Sequence, residues 1–167
     1  MTPFMERLAR IALIGFDIDG VFTDGRFYLS DEGHESKAFH TQDGFGVRQL
    51  LEAGVAVAVI SGRRSTAVER RMRELGVLHV HLGCKDKVAV FRELLADLSL
   101  TANESAYAGD DVPDLSLLRY AGVAIGVANA HADIRPYCDW ITTKAGGRGA
   151  VREICDALLT ARGVSQP

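Results

Sequence analysis

Short apolar runs alternate with helix-length amphipathic segments along this 167-residue chain, and this alternation restricts the fold more than any other feature. The runs predicted to be strands are Ile11–Phe16, Val55–Ile60, Leu78–Leu82, Ser105–Ala108, Val123–Val127 and Trp140–Thr142. The predicted helices are Gly46–Ala53, Ser65–Leu75, Lys87–Leu98, Pro113–Tyr120 and Gly149–Arg162. Such alternation is typical of a mostly parallel sheet with helices on both faces. We therefore predict an α/β fold with a Rossmann-like, doubly wound sheet, in a single domain spanning residues 1–167.

One segment, at about residues 25–40, interrupts the alternation. Two short strand-like pieces there flank Asp31-Glu32-Gly33, which is a turn signal. We predict a β-hairpin flap that projects from the sheet edge. The gap between Asp19 and Ser61 holds this hairpin region, and the gap between Ser61 and Lys87 holds one helix and one strand. Since units below ~40 residues rarely fold alone, we predict no separate cap domain.

Composition and charge exclude several classes of function. The formal charge of -3 and the pI near 5.9 give no overall attraction to nucleic acid or to anionic membranes. No apolar run approaches the ~20 residues that span a bilayer, and residues 1–10 lack an apolar signal core. Cys84, Cys138 and Cys155 lack the C-x-x-C spacing of zinc or redox sites. We expect a cytoplasmic protein with no nucleic-acid or membrane partner.

Polar and charged side chains follow the predicted strands at the points where the strands end. In a parallel sheet with right-handed crossovers, the loops after the strands share one edge, and open sheets of this type bind ligands there. The residues placed at this edge are Asp17, Asp19, Ser61, Gly62, Arg63, Lys87, Asp110, Asp111, Asp114 and Asn129. The sequence therefore predicts that residues more than a hundred positions apart meet in one site.

The chemistry of this set is that of phosphoryl transfer. Clustered carboxylates suit Mg²⁺, while a Ser hydroxyl, a Lys ammonium and the amides of a Gly loop suit a phosphate dianion. One Asp can attack phosphorus, and a second Asp two residues later can protonate the leaving alkoxide and then activate water. Taken alone, Ser61 could be a turn residue or N-cap, Lys87 a solvated helix residue, and Asp110-Asp111 a helix cap. Their joint occurrence at successive strand ends favours a site.

The same residues resemble the four motifs of the haloacid dehalogenase superfamily of phosphatases. The matching motifs are Asp17-Ile18-Asp19-Gly20, Ser61-Gly62-Arg63, Lys87 and Gly109-Asp110-Asp111-x-x-Asp114. The resemblance implies that Asp17 is the nucleophile and Asp19 the general acid and base. It also implies that Asp17, the Asp19 main-chain carbonyl and Asp110 bind Mg²⁺. Ser61, Gly62 and Lys87 would bind the phosphate, and Asp111 and Asp114 would support the metal ligands.

Further segments resemble the family of 3-deoxy-D-manno-octulosonate 8-phosphate (Kdo 8-phosphate) phosphatases. These segments are Asp17–Gly25, Phe39–Gly44, Gly46–Arg48, Ser61–Arg63 and Gly146–Glu153. The resemblance implies hydrolysis of Kdo 8-phosphate to Kdo and phosphate through an aspartyl-phosphate, in lipopolysaccharide precursor biosynthesis. It places a substrate-binding loop at His40, Thr41, Gln42, Asp43 and Gly44, together with Arg48, Arg63 and Arg71. At His40, Thr41 and Gln42 the chain departs from the usual Asn-Val-Arg-Asp-Gly pattern, so the roles of these three side chains stay open.

The arginines are consistent with an anionic sugar. Arg48, Arg63 and Arg71 exceed what a phosphate needs, and Arg binds carboxylates with a two-pronged fork, although a solvated basic face is the alternative. The glycines just before the last predicted helix indicate either a flexible connector or a mobile loop that brings Arg148 to the substrate. The resemblance implies a homotetramer in which hairpins assemble and Gly146–Glu153 reaches toward a neighbouring site.

Three other functions are consistent with parts of the same sequence pattern. Phosphatases of nine-carbon sugar-acid 9-phosphates look similar but tend to place Glu where this chain has Arg63. A non-catalytic sugar-acid-binding or tetramerisation module is expected to lack the nucleophile or the acid, and this chain has both Asp17 and Asp19. A response-regulator-like phosphoacceptor would lack the second Asp two positions after its nucleophile.

Overall fold

The computed structural model describes residues 2–164. The strands are β1 (Leu13–Phe16), β2 (Tyr28–Leu29), β3 (Glu35–Ser36), β4 (Ala56–Ser61), β5 (His79–Leu82), β6 (Ser105–Gly109), β7 (Val123–Gly126) and β8 (Trp140–Ile141). The helices are α1 (Pro3–Ala9), α2 (Thr41–Glu52), α3 (Thr66–Leu75), α4 (Lys87–Asp97), α5 (Leu115–Tyr120) and α6 (Ala150–Ala161). Short 3₁₀ turns lie at Ala102–Glu104, Val112–Asp114 and Arg135–Tyr137.

Six of these strands form one sheet in the order β5-β4-β1-β6-β7-β8, and every neighbouring pair is parallel. The predicted α/β fold with a doubly wound sheet is therefore confirmed. The chain builds outward from β1 to β5 and then returns to place β6 on the other side of β1. The order of the strands thus reverses at β1, so the loops after β1, β4 and β6 lie side by side at a switch point.

The sheet is held by apolar side chains on its central strands. All four residues of β1 are buried, as are five of the six residues of β4, which explains why these strands read as nearly continuous apolar runs. Phe91 of α4 packs edge-on against Tyr107 of β6, with ring centroids 6.3 Å apart. A Cβ at Gly15 of β1 would lie 2.9 Å from the Tyr107 ring, so the glycine makes room for that aromatic pair.

Helix α2 begins at Thr41, five residues before the predicted start, so the prediction of a loop at residues 40–44 is wrong for Thr41–Gly44. Gly44 and Gly46 lower the local helix propensity of this segment. Tertiary packing outweighs that cost because α2 packs on α6. A Cβ at Gly46 would lie 2.9 Å from Arg152 Cδ and 3.0 Å from Cys155 Cβ, so only glycine permits this close approach.

Helix α1 was not predicted. Thr2 caps it, since its side chain accepts a hydrogen bond from the Met5 N–H at 3.3 Å, and Pro3 occupies the first turn. Arg7 of this helix pairs with Asp139 at 2.8 Å and so attaches α1 to the segment before β8. No helix within residues 2–164 is both long and apolar enough to cross a membrane.

The predicted hairpin is confirmed. Strands β2 and β3 pair antiparallel, and the turn between them is closed by a hydrogen bond from the Ser30 N–H to the His34 carbonyl at 3.0 Å. Gly33 has φ of +82°, a conformation that favours glycine. Tyr28 and Leu29 are 71% and 66% exposed, so the flap leaves two apolar side chains uncovered in a single chain.

Candidate active site

A cavity of about 350 Å³ lies at the carboxyl ends of the central strands. Its lining contains Asp17, Asp19, Gly25, Ser61, Gly62, Arg63, Lys87, Asp110, Asp111, Pro113 and Asp114. A larger groove of about 550 Å³ lies between α3 and β5, but none of the predicted site residues lines it. The smaller cavity is therefore the candidate active site, because it unites the side chains that the sequence placed at this edge.

The loop after β1 brings two carboxylates into the cavity. The Asp17 N–H donates to the Ala108 carbonyl at 3.0 Å, which continues the β1–β6 pairing by one residue and fixes the backbone at Asp17. Gly20 then turns the chain with φ of +92°. A Cβ at Gly20 would lie 1.9 Å from Asp110 Oδ2, so glycine is needed here both for the backbone conformation and for the space that Asp110 occupies.

Lys87 lies at the first position of α4 and contacts two carboxylates. Its Nζ is 3.0 Å from Asp17 Oδ1 and 2.7 Å from Asp114 Oδ1, and its side chain is 9% exposed. Burial alone would lower the pKa of Lys87, but Asp17 and Asp114 raise it above its ordinary value. The Lys87 ammonium therefore stays charged beside the Asp17 carboxylate.

Asp114 organises the loop after β6. Its Oδ1 accepts hydrogen bonds from Lys87 and from the Tyr107 hydroxyl, each at 2.7 Å. Its Oδ2 accepts from the N–H groups of Asp110 at 3.0 Å and Asp111 at 3.3 Å. Burial, followed by the neighbouring carboxylates, raises the pKa of Tyr107 well above its ordinary value, so this hydroxyl remains a donor. Both Asp114 oxygens are thus engaged by protein donors.

Three carboxylates converge closely enough to hold a cation. One oxygen from each of Asp17, Asp110 and Asp114 lies within 4.8 Å of the others, and this is the one such group in residues 2–164. Burial and then Asp114 raise the pKa of Asp17 to about 6, despite the contact with Lys87. Burial and then Asp17 and Asp114 raise the pKa of Asp110 to about 7. Carboxylates that repel each other in this way favour a bound divalent cation.

Ser61 and Gly62 also line the cavity. Ser61 ends β4, is 3% exposed, and accepts a hydrogen bond from the Arg63 N–H at 3.3 Å. The Ser61 carbonyl accepts from the Cys84 N–H at 3.0 Å, which ties this loop to the segment that leads into α4. The loop after Ser61 is therefore connected to the segment that leads into Lys87, the first residue of α4.

Two hairpin residues in the site were not predicted. Lys37 forms an ion pair with Asp19, and Glu35 Oε2 lies 2.7 Å from Arg63 Nη2. Residues 35 and 37 alternate with outward-facing positions along the hairpin, so they share one face of it. The i, i+2 spacing of Glu35 and Lys37 is the sequence signal that could have indicated a shared face toward the site. However, a Lys and a Glu beside a two-residue strand are also typical of a solvated turn.

The other predicted substrate-binding residues of the N-terminal half lie outside the cavity lining. His40 precedes α2, Thr41 and Gln42 are exposed in its first turn, and Gly44 lies against the Arg71 guanidinium. Exposed Arg48 donates to the Glu74 carbonyl at 3.0 Å, and Arg71 Nη1 lies 3.5 Å from the Glu74 carboxylate. In the single chain these groups tie α2 to α3 and do not contact the carboxylate cluster.

Asp43 is buried at the N-terminus of α6. Its Oδ1 accepts a hydrogen bond from the Arg152 N–H at 2.8 Å, and burial raises its pKa above the ordinary value. A carboxylate in this position satisfies donors that the first turn of a helix leaves unpaired. The contact links α2 to α6, and it explains why a charged residue is tolerated on the buried face of α2.

The Gly146–Gly149 stretch is packed tightly, in contrast to the flexible connector or mobile loop predicted from its composition. A Cβ at Gly146 would lie 1.8 Å from the Gly20 carbonyl oxygen, and the Gly147 N–H donates to the Val21 carbonyl at 3.1 Å. Asn129 connects the two segments, since it donates to the Gly20 carbonyl at 3.1 Å and accepts from the Gly146 N–H at 2.6 Å. The glycines thus let this stretch support the loop that carries Asp17 and Asp19.

Arg148 projects from that stretch toward solvent. Its side chain is 71% exposed, and its Nη2 lies 4.0 Å from the Asp24 carboxylate. Arg148 is not part of the cavity lining in the single chain.

The comparisons with known proteins identify the family. Residues 80–154 match the family model described as haloacid dehalogenase-like hydrolase. Over 162 residues the chain is 41% identical to the 3-deoxy-D-manno-octulosonate 8-phosphate phosphatase KdsC of Salmonella typhi, covering 97% of this chain and 86% of that protein. The chain belongs to the haloacid dehalogenase-like hydrolases. The family resemblance read from its motifs is confirmed.

Solved structures match this hydrolase closely. The 3-deoxy-D-manno-octulosonate 8-phosphate phosphatase of Moraxella catarrhalis, in complex with a magnesium ion, a phosphate ion and a KDO molecule, has a TM-score of 0.95 and 41% identity, covering 98% of this chain and 94% of that chain. The enzyme of the same name from Yersinia pestis has a TM-score of 0.94 and 41% identity, covering 96% of this chain and 86% of that chain. The match therefore includes the hairpin and the whole sheet.

Proposed function

We propose that this hydrolase is a Mg²⁺-dependent phosphatase that converts Kdo 8-phosphate to Kdo and inorganic phosphate, a step in lipopolysaccharide precursor biosynthesis. One observation carries the proposal: the carboxylates of Asp17, Asp19 and Asp110 line a single cavity with Ser61 and Lys87. Relatives that bear this enzyme name match almost the full length of the chain.

The carboxylate cluster fits Mg²⁺. Asp17 and Asp110 approach each other closely and both have raised pKa values, so a divalent cation would relieve their repulsion. Both oxygens of Asp114 already accept protein hydrogen bonds. We therefore assign the metal to Asp17, Asp110 and the Asp19 main-chain carbonyl, with Asp111 and Asp114 in support. When bound, Mg²⁺ neutralises phosphoryl oxygens as a Lewis acid.

The side chains divide the chemistry among them. The Asp17 carboxylate attacks phosphorus and forms an aspartyl-phosphate, while Asp19 gives a proton to the leaving sugar oxygen. Lys87, the Ser61 hydroxyl and the Gly62 N–H hold phosphoryl oxygens during the transfer. Water then attacks the phosphorus and gives a proton to Asp19, and the bond to Asp17 breaks. Inorganic phosphate leaves, and Asp17 is restored as a carboxylate.

Arg63 is the residue of this chain placed to bind the carboxylate of a sugar acid. It lines the cavity, its side chain is 48% exposed, and its guanidinium lies 4.2 Å from the centre of the Phe27 ring. A guanidinium that is fixed on an aromatic face and still exposed can form a two-pronged contact with a carboxylate.

We further propose that the hydrolase works as a cytoplasmic homotetramer of single-domain subunits. The exposed apolar side chains of Tyr28 and Leu29 on the flap support this assembly, because exposed apolar patches mark interaction surfaces. In the tetramer, the predicted substrate residues that a single chain leaves outside its cavity would contribute across subunits. Changing Tyr28 and Leu29 to Ser should lower the mass measured by light scattering, whereas an unchanged mass would refute a flap-mediated assembly.

Phosphate release tests the proposed function. The purified protein with Mg²⁺ is given Kdo 8-phosphate, nine-carbon sugar-acid 9-phosphates or hexose phosphates. We expect a preference for Kdo 8-phosphate, loss of turnover in Asp17→Asn, and no loss in the matched surface variant Asp133→Asn. A preference for hexose phosphates would refute the substrate while leaving the chemistry intact. No phosphate release from any substrate would favour a non-catalytic binding module.

A further inference from the structure

We propose that Lys37 of the hairpin is a positioning residue for Asp19, and that it acts in the second half of the reaction, when water attacks the aspartyl-phosphate. This inference rests on the proposed phosphatase function. It concerns four side chains that we name the hairpin charge cluster: Asp19, Glu35, Lys37 and Arg63.

Lys37 is buried although it comes from a hairpin whose outer face is exposed. Its side chain is 1% exposed, its ammonium pairs with Asp19 Oδ1, and Glu35 Oε1 lies 3.7 Å away. A buried ammonium is costly unless it is paired, and breaking a buried pair is strongly unfavourable. The contact with Asp19 is therefore a fixed part of the folded hairpin and not a loose surface ion pair.

The second oxygen of Asp19 faces a different cation. Arg63 Nε lies 3.9 Å from Asp19 Oδ2, and Arg63 Nη2 pairs with Glu35 Oε2 at 2.7 Å. The cluster thus balances two carboxylates with two cations, and each oxygen of Asp19 has its own cationic neighbour. The Lys37 side chain is buried and contacts Asp19 closely, whereas the Arg63 side chain is half exposed and lies farther from Asp19. Lys37 therefore sets the orientation of the Asp19 carboxylate.

This arrangement separates the two aspartates of the motif. Asp17 is held by Lys87 from α4, and Asp19 is held by Lys37 from the hairpin. The nucleophile and the proton-transfer group therefore have independent supports on different elements. A change at Lys37 should disturb the proton-transfer group while leaving the attack by Asp17 nearly intact.

The step at issue is the hydrolysis of the intermediate. Water attacks phosphorus and forms a new P–O bond, one proton of that water passes to the Asp19 carboxylate, and the P–O bond to Asp17 breaks with its electron pair returning to Asp17. A general base must lie within hydrogen-bond reach of the water and in the correct orientation. Without Lys37, the Asp19 side chain can rotate away from that water.

The test compares wild type with Lys37→Met, using p-nitrophenyl phosphate and Mg²⁺. The p-nitrophenolate leaving group departs without needing a proton from Asp19. The value of kcat/KM therefore reports the attack by Asp17, and kcat reports the slower hydrolysis of the aspartyl-phosphate. We expect kcat to fall on the order of 10²-fold with kcat/KM within about threefold of wild type. We also expect a rapid burst of p-nitrophenolate equal to the enzyme concentration. Lys37→Arg should recover part of kcat, and the matched surface variant Lys85→Met should match wild type.

A parallel loss of kcat and kcat/KM without a burst would overturn the proposal, because Lys37 would then act before or during attack by Asp17, or only on the fold. Thermal unfolding with Mg²⁺ checks that Lys37→Met remains folded. If it does not, Glu35→Gln, which removes one charge from the same cluster, should show the same pattern with a smaller loss. Phosphate release from Kdo 8-phosphate is measured separately, so an error in the assigned substrate is distinguished from an error about Lys37.

Discussion

Asp110 should reduce the stability of the metal-free protein, and replacing it with Asn should raise that stability. The Asp110 carboxylate is crowded by Asp17 and Asp114, and burial together with these two raises its pKa from 3.8 to about 7. The folded state therefore binds more protons than the unfolded state between these pH values. It follows that this group makes the fold less stable as pH rises through that range, and that the full penalty is present at pH 8.

The size of the effect follows from the pKa shift. A shift of one unit corresponds to about 1.4 kcal/mol, so the penalty on ionised Asp110 is at most about 4 kcal/mol. Partial solvation and the linked titration of Asp17 reduce it. We expect Asp110→Asn to stabilise the metal-free protein at pH 8 by about 1–3 kcal/mol, which corresponds to a rise in Tm of roughly 3–10 °C for a chain of this size.

Thermal unfolding in EDTA at pH 8 and at pH 4.5 measures this effect. The gain of Asp110→Asn over wild type should be large at pH 8 and small at pH 4.5, where wild-type Asp110 is protonated. Adding Mg²⁺ at pH 8 should raise the Tm of wild type more than that of the variant. Asp133→Asn, the same change at an exposed site, should alter the Tm by less than about 2 °C. A lower Tm for Asp110→Asn at pH 8 would refute the electrostatic reasoning.

Three further substitutions test other parts of the site. Gly20→Ala should reduce Mg²⁺-dependent phosphate release by about tenfold or more and lower the free energy of unfolding by about 1–3 kcal/mol. The added Cβ would meet Asp110, and the backbone at residue 20 has φ of +92°, which disfavours alanine. Turnover equal to that of wild type would contradict this. Lys87→Met should reduce kcat by about 10²-fold or more, since it removes a cation 3.0 Å from Asp17, and a change confined to KM would contradict this. Asp43→Ala should lower the free energy of unfolding by about 1 kcal/mol through loss of the contact at the start of α6, and urea titration measures it. A rise in KM for Kdo 8-phosphate without loss of stability would instead assign Asp43 to substrate binding.

The main features of the fold and the positions of the central site residues could be predicted from the sequence for one physical reason. Strands buried on both faces read as short apolar runs, and parallel connections place all of the following loops on one edge. Asp17, Ser61 and Asp110 follow such strands, so their convergence required no knowledge of side-chain contacts. Lys87 could be assigned to the same site because it begins the predicted helix that follows the third predicted strand.

The start of α2 and the role of the glycines could not be predicted in the same way. Local propensity favours a later helix start, whereas the close packing of Gly46 against α6 depends on contacts more than a hundred residues away. Gly146 reads locally as part of a flexible stretch, yet its missing side chain is needed because the Gly20 carbonyl occupies that space. Glycine has the same sequence signature in both situations.

The hairpin charge cluster shows a second limit of sequence reasoning. Lys37 and Glu35 lie in a segment with the composition of an exposed turn. The side chain of Lys37 is only 1% exposed and that of Glu35 19% exposed because the flap folds back over Asp19. The substrate arginines show the converse. Arg48 and Arg71 suggested a cluster of positive charge, but in the single chain they contact the Glu74 carbonyl and carboxylate, respectively.

The stereochemistry at phosphorus tests whether Asp17 forms a covalent intermediate. Kdo 8-thiophosphate made chiral with ¹⁸O is hydrolysed in ¹⁷O-labelled water with Mg²⁺, and the configuration of the released thiophosphate is determined. Attack by Asp17 followed by attack of water inverts phosphorus twice, so we predict net retention. Net inversion would show that water attacks the substrate directly, and it would contradict the assignment of Asp17 as the nucleophile.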